Sequence, residues 1–160
     1  MGVCTVVNSQ ENENDLRWNI PPDYNIGDLV KKKAHDFPNR VAFYWENDKG
    51  DSGELTYGRL DEESDKFAEF LIDRGLEKGS PVIHLLPRLL EVPVVQLGTF
   101  KAGCIAVPCS EMLKQKNIKY RARNSNAAAL VAHSSNASEV EKVKPEMDIG
   151  CYVIVEGERE

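Results

Sequence analysis

The sequence lacks the short motifs that identify the common nucleotide-binding and hydrolytic folds. It contains no GxGxxG, no GxxxxGK[ST], no GxSxG and no HExxH, which argues against a dinucleotide-binding turn, a P-loop, a nucleophile elbow and a helical zinc site. The four cysteines form no CxxC pair, so neither a zinc-ligand spacing nor a disulfide framework is indicated. No apolar run reaches the ~18 residues that a membrane-spanning helix requires. These absences exclude several classes of protein without assigning a reaction.

Positive charge is also scarce relative to negative charge. The chain of 160 residues has 26 acidic and 20 basic side chains and a formal net charge of −6, which argues against a surface for nucleic acid or anionic membrane. A hydrophobic content of 41% and a charged content of 29% are typical of a soluble domain with its own core. The N-terminal stretch is too short and too polar for a signal peptide. We therefore expect a cytoplasmic protein with no membrane span and no nucleic-acid partner.

A strand–helix–strand unit over residues 82–107 is the centre of the predicted fold. Residues 82–86 are a short apolar run between two prolines, a pattern that predicts a strand. Residues 91–102 form the predicted crossover helix, which is apolar on more than one side. Residues 105–107 form the second predicted strand, which we expect Pro108 to end. This order predicts a βαβ unit with parallel strands.

The rest of the chain supplies further helices and strands. Asn25 and Thr56 are predicted helix N-caps, Gly103 is the predicted left-handed residue after a helix, and Ser134 or Ser135 is expected to cap the last helix. Predicted strands cover residues 41–45, 54–56, 128–132 and 151–155, and predicted helices cover residues 26–35, 57–74, 114–124 and 137–144. The predicted fold class is α/β, with βαβ units, a mainly parallel sheet flanked by helices, and an N-terminal hairpin.

Few residues carry recognisable chemistry. Ligands of parallel sheets gather beyond the carboxyl ends of the strands. The side chains best suited to hold a phosphate there are Arg88, Arg121 and Arg123, and an ordinary surface role is the alternative for each. The three histidines are far apart in the chain, and His84 follows the alternation of a buried strand, which favours a hydrogen-bonded core histidine over a catalytic one. These residues alone predict no reaction.

Three segments resemble the adenylate-forming, or AMP-binding, superfamily, which includes acyl-CoA synthetases, luciferases and peptide-synthetase adenylation domains. Residues 54–60, ELTYGRL, look like its first core motif, and residues 100–108, FKAGCIAVP, resemble its second. Residues 75–87, GLEKGSPVIHLLP, are similar to the strand between them, although Ser80 stands where the family usually has aspartate. The resemblance implies that the fold is the first part of the large N-terminal domain of such an enzyme.

Two shorter segments, LPR at residues 86–88 and NIKYR at residues 117–121, resemble the acetyl- and medium-chain acyl-CoA synthetase branch. The resemblance implies a two-step ligase, in which ATP and Mg²⁺ activate a small-molecule carboxylate as an acyl-adenylate and the CoA thiol then displaces AMP. It also implies that Arg121 contacts CoA, although the loop before it lacks the branch's Gly-Gly. It transfers no catalytic or metal-binding residue, because the family's phosphate loop, adenine motif, ribose-binding aspartate and lid lysine have no match in this sequence.

The resemblance also implies a domain organisation. Residues 21–160 correspond to part of the N-terminal domain of a synthetase, while residues 1–20, polar and rich in Asn and Glu, are predicted to form a flexible arm. We therefore expect the N-terminal piece of a longer enzyme, inactive alone, binding no cofactor tightly and able to associate with itself through an exposed face. Two alternatives stay open: a non-enzymatic α/β interaction module derived from the family, and an adenylating relative that loads a carrier protein.

Overall fold

The computed structural model describes residues 24–47 and 49–156. The predicted flexible arm, residues 1–20, lies outside these described residues. The helices are α1 (Ile26–Asp36), α2 (Tyr57–Asp73), α3 (Glu91–Lys101), α4 (Gln115–Ser125) and α5 (Ala137–Val143). The strands are β1 (Val41–Glu46), β2 (Ser52–Thr56), β3 (Pro81–Leu85), β4 (Ile105–Cys109), β5 (Ala129–His133) and β6 (Cys151–Val155). Two short 3-10 turns, Ser134–Asn136 and Lys144–Glu146, flank α5.

The strands form one parallel sheet and one separate hairpin. The sheet has four strands in the order β4-β3-β5-β6, and every pair in it is parallel. Strands β1 and β2 pair with each other in antiparallel fashion. The predicted α/β class, with a parallel sheet and an N-terminal hairpin, is therefore confirmed. Across the described part of the chain, no helix has the length and hydrophobicity to span a bilayer.

Helices cover both faces of the sheet because β3 and β5 are apolar on both sides, as central parallel strands usually are. One face packs against α2 and α3, and its buried cluster includes Val82, Val131, Val95 and Leu71. The other face packs against α4 and α5, and its buried cluster includes Ile83, Leu130, Ile118 and Val140. The hairpin has a smaller cluster of its own, Leu55, Leu60 and Leu97, which joins it to α2 and α3.

The predicted helix ends are mostly confirmed. The Asn25 side chain accepts a hydrogen bond from the backbone N–H of Asp28, and the Asp28 carboxylate in turn accepts from the Asn25 N–H, which completes a capping box. The Thr56 hydroxyl accepts from the Arg59 N–H at the start of α2. Gly103 has φ of +73°, the left-handed conformation expected after α3.

Two details of the sequence-based interpretation are wrong. Pro108 does not end β4, which continues to Cys109; because β4 is an edge strand paired only with β3, a residue without an N–H is tolerated there. Neither serine caps the last helix. His133 Nδ1 accepts a hydrogen bond from the Ser135 N–H, and Asn136 precedes α5 without a side-chain capping bond.

Candidate functional site

The carboxyl edge of the parallel sheet is where the candidate binding residues lie. The register places Leu85 at the end of β3 opposite Cys109 of β4 on one side and Ala132 of β5 on the other. The loops that follow these strands therefore leave the sheet side by side. This is the edge at which open α/β sheets bind their ligands.

A groove of about 470 Å³ opens between the hairpin and the loop that joins β3 to α3. The indole N–H of Trp45, on β1, donates a hydrogen bond of 2.6 Å to the carbonyl oxygen of Arg88. This bond ties the loop to the hairpin and leaves the Arg88 side chain exposed at the groove. Its other lining residues are Phe43, Tyr44, Leu86, Pro87, Leu89, Leu90, Val92, Pro93 and Glu111.

A second set of bonds links the ends of β4 and β5. The amide nitrogen of Asn136, which is buried, donates to the backbone carbonyl of Glu111 at 2.6 Å. The Asn136 amide oxygen accepts from the Ser135 hydroxyl at 3.4 Å, and His133 Nδ1 lies 2.8 Å from the same hydroxyl. Since the Ser135 backbone N–H also points at Nδ1, the proton of a neutral His133 resides on Nε2. These contacts hold the loop rigidly rather than activating a nucleophile.

Arg121, the predicted CoA contact, is exposed on α4. Its positive charge acts on the thiol of Cys109 and partly opposes the larger effect, desolvation, which raises the pKa of that thiol. Within residues 24–47 and 49–156, the Arg121 guanidinium has neither a hydrogen-bond nor an ion-pair partner. The side chain is therefore available to an anionic group, and Cys109 stays protonated at neutral pH.

Arg123 does not join the other two arginines. Its guanidinium lies 3.5 Å from the backbone carbonyl of Glu146. It lines a separate cleft of about 390 Å³ with Asn126 and Met147, beside the residues that lead into β5 and β6. Residues two positions apart on a helix point about 200° away from each other, so Arg123 and Arg121 lie on different sides of α4. Arg123 is thus placed at the amino edge, away from the loops that follow β3 and β4.

His84 is a buried, hydrogen-bonded histidine, as the alternation of β3 predicts. Its Nε2 lies 3.0 Å from the Thr99 hydroxyl, and that hydroxyl donates at 2.7 Å to the Val95 carbonyl. Since Thr99 has used its only proton, His84 Nε2–H must be the donor to Thr99. Burial lowers the pKa of His84 to about 4, so the ring is neutral at physiological pH and joins β3 to α3.

Two residues that shape the edge, Trp45 and Asn136, are missing from the sequence-based set. Both donate hydrogen bonds to backbone carbonyls that are distant in sequence, Trp45 to that of Arg88 and Asn136 to that of Glu111. No local sequence pattern predicts such a partner. The sequence signals are a large aromatic near the end of β1 and a polar amide in the turn that follows β5. Over the described residues, no three His, Cys, Asp or Glu side chains are grouped so that they could hold a metal ion.

The parallel sheet, covered by helices on both faces and with its loops gathered at one edge, has the architecture of a doubly wound α/β protein. A family described as AMP-binding enzyme matches residues 30–160. The chain belongs to this family of AMP-binding enzymes.

Individual relatives agree with this assignment. The chain is 35% identical over 133 residues to a medium/long-chain-fatty-acid–CoA/3-oxocholest-4-en-26-oate–CoA ligase of Mycolicibacterium smegmatis, a match covering 82% of this chain and 23% of the relative. It is 29% identical over 143 residues to the human mitochondrial acyl-coenzyme A synthetase ACSM3, covering 85% of this chain and 24% of the relative. The chain thus spans about a quarter of the length of these curated relatives.

Solved structures support the fold. The chain superimposes on the anthranilate CoA ligase AuaEII with a TM-score of 0.76 at 23% identity, covering 85% of this chain and 26% of that one. It superimposes on a benzoate CoA ligase from Burkholderia xenovorans LB400 with a TM-score of 0.71 at 22% identity, covering 82% of this chain and 26% of that one. The predicted membership of the AMP-binding superfamily is confirmed by the family match over residues 30–160, and these structures agree with the fold.

Proposed function

We propose that this chain is the N-terminal part of an ATP-dependent acyl-CoA synthetase, an AMP-forming acid–thiol ligase. The observation that carries the proposal is the pairing of a family match over residues 30–160 with relatives named as CoA ligases, of whose length the chain spans about a quarter. In the whole enzyme, ATP would supply the driving force for joining a carboxylic acid to the CoA thiol. The proposal includes Mg²⁺ as a cofactor of the whole enzyme. Among the described residues, no group of three or more His, Cys, Asp or Glu side chains could hold it.

The described residues contribute positioning rather than reaction steps. Strands β3, β4 and β5 fix the loops at the carboxyl edge, and the bonds from Trp45 and Asn136 hold two of those loops in place. The neutral His84 ring keeps α3 against the sheet. We infer that the chain supports the large domain and forms one wall towards the acyl and CoA sites, in a cytoplasmic enzyme, and does not turn over ATP alone.

The first test compares the intact mass of the native protein, purified from its source, with 17.9 kDa, the mass of this chain. We expect a native protein several times heavier that forms acyl-CoA from ATP, CoA and a short- or medium-chain acid, while the 160-residue chain shows no turnover. A native mass of 17.9 kDa would overturn the ligase assignment for this polypeptide. Transfer to a carrier protein but not to CoA would instead identify the carrier-loading alternative.

Arg121 is proposed to pair with an anionic group of CoA, supported by its exposure and unpaired guanidinium among residues 24–47 and 49–156. A hydrogen bond to a charged group contributes about 1.5–3 kcal/mol. In the native enzyme, Arg121→Ala should therefore raise the KM for CoA by roughly 10- to 100-fold and leave the KM for ATP unchanged. Arg123→Ala is the matched control and should leave both constants unchanged. An unaltered KM for CoA in Arg121→Ala removes Arg121 from the binding site.

A further inference from the structure

A second groove lies between α1, β1 and α3 and adjoins the carboxyl-edge groove at Phe43 and Pro93. Its volume is about 360 Å³. We call it the α1–α3 groove. Its lining is Ile26, Leu29, Val30, Lys33, Ala42, Phe43, Tyr57, Leu60, Pro93, Gln96, Leu97 and Phe100. Only one formal charge, that of Lys33, is among these side chains.

The groove leaves large apolar side chains in contact with water. Ile26 is 52% exposed, Leu29 42% and Phe43 46%. Burial of apolar surface stabilises by about 25 cal/mol per Å², and contiguous exposed apolar patches usually mark a surface that something else covers. The groove therefore has a strong physical preference for an apolar occupant.

The chain immediately upstream of α1 is the nearest candidate. Ile26, which lines the groove, is the first residue of α1, so the chain that precedes it emerges at the rim. In that segment Leu16, Trp18 and Ile20 alternate with polar residues, which in an extended chain puts all three on one side. Pro21 and Pro22 follow, and a residue before proline favours extended backbone.

The upstream segment is long enough to cover the groove. At roughly 3.3 Å per extended residue, residues 16–23 span about 26 Å. The 11 residues of α1 extend over about 16 Å at 1.5 Å per residue. A short extended piece can therefore run the whole length of α1 without any further loop.

Charge favours the same pairing. The α1 helix carries Lys31, Lys32 and Lys33 in succession. The segment immediately before Leu16 carries Glu11, Glu13 and Asp15 and no basic residue. An acidic stretch that came close to this row of lysines would be attracted to it, most strongly at low ionic strength.

We propose that residues 16–20 bind in the α1–α3 groove and place Leu16, Trp18 and Ile20 against the apolar side chains of α1, β1 and α3. The occupant is thus a segment of this same chain, not a second copy and not a later part of the enzyme. This proposal does not depend on the proposed ligase activity, because it concerns only a contact between residues 16–20 and a groove whose lining runs from Ile26 to Phe100.

Tryptophan fluorescence of the 160-residue chain tests the proposal. The sequence has two tryptophans, Trp18 and Trp45, so Trp45→Phe leaves Trp18 as the sole reporter. We expect the Trp18 emission to be blue-shifted and its quenching by acrylamide several-fold slower than that of N-acetyltryptophanamide. Adding Leu29→Lys in the groove should shift both quantities to the values of the free amide. The matched control is Ile72→Lys, an exposed aliphatic residue on α2 outside the groove, which should change neither quantity.

The outcomes separate the possible occupants. Free-amide behaviour of Trp18 in the Trp45→Phe protein, with circular dichroism showing that the chain is folded, overturns the proposal without any further variant. If Trp18 loses its protection from acrylamide on dilution, and light scattering gives the mass of a dimer, the groove is occupied by a second copy of the chain. This result also overturns the proposal. Protection that is independent of protein concentration, lost in Leu29→Lys and kept in Ile72→Lys, establishes the intramolecular contact.

Discussion

Strand β5 at the centre of the parallel sheet and strand β1 of the N-terminal hairpin are both mostly apolar in sequence but have very different surroundings. Every residue of β5 from Ala129 to Ala132 is fully buried, with strands on both edges and helices on both faces. In β1, by contrast, Phe43 is 46% and Tyr44 60% exposed. A two-stranded hairpin is marginally stable by itself, so the hairpin depends on Leu55 and its neighbours for its attachment. The difference shows which region is self-sufficient and which presents surface to other parts of a protein.

Truncating a side chain in each region should give the widest contrast. Leu130→Ala removes a fully buried side chain from the cluster under α4 and α5 and should lower the free energy of unfolding by about 2 to 5 kcal/mol. Tyr44→Ala removes an exposed side chain from β1 and should change it by less than about 0.5 kcal/mol. Urea denaturation of the 160-residue chain measures both values. Equal losses would show that the hairpin is as tightly built as the sheet.

A second contrast comes from the polar group at the centre of the sheet. Because burial lowers the pKa of His84 from 6.5 to about 4, the unfolded chain binds this proton more readily between those pH values. Stability contributed by the neutral ring is complete above pH 6.5 and falls as the pH drops towards 4. The loss should reach roughly 3 kcal/mol.

The measurement is the free energy of unfolding against pH for the wild type and for His84→Gln, which can still donate to Thr99. Carboxyl groups titrate in the same range, so the difference between the two curves isolates the histidine. We expect the wild-type curve to be steeper between pH 6.5 and 4. Parallel curves would mean that His84 is protonated in the folded chain as easily as in the unfolded one.

The same comparison explains what could be predicted from the sequence. Strand β5 and the capped helix α2 were predictable because their signals are local: an apolar run in one case, and Thr56 before a helical pattern in the other. The bond from Trp45 to the Arg88 carbonyl was not, because its partners are 43 residues apart. The sequence analysis places Arg123 with Arg88 and Arg121 because strand ends can be predicted from a sequence. The direction in which each residue of α4 points cannot be predicted in this way.

Close packing between α2 and α3 connects the hairpin to the sheet and can be tested at one glycine. A Cβ at Gly98 would lie 2.7 Å from the Ser64 carbonyl oxygen and 2.9 Å from a ring carbon of Phe67. Gly98→Ala should therefore force the helices apart and cost about 1 to 3 kcal/mol of unfolding free energy. Gly150→Ala, with no atom within 4 Å of the new Cβ, is the control and should be nearly neutral. A neutral Gly98→Ala would show that the two helices can separate without cost.

The smallest expected effect is at Thr56, where the hairpin passes directly into α2. Its hydroxyl accepts from the Arg59 N–H at 3.3 Å, and loss of such a cap costs about 1 kcal/mol. Thr56→Ala should lower the unfolding free energy by that amount, while Thr56→Ser, which keeps the hydroxyl, should retain most of it.

Amide hydrogen exchange shows where in the chain the stability is lost. If the hairpin depends on α2, the Thr56→Ala loss should speed exchange in β1 and β2 while the amides of β3 and β5 keep their protection, since the latter strands have both faces and both edges covered. Equal acceleration in all four strands would mean that hairpin and sheet unfold as one unit.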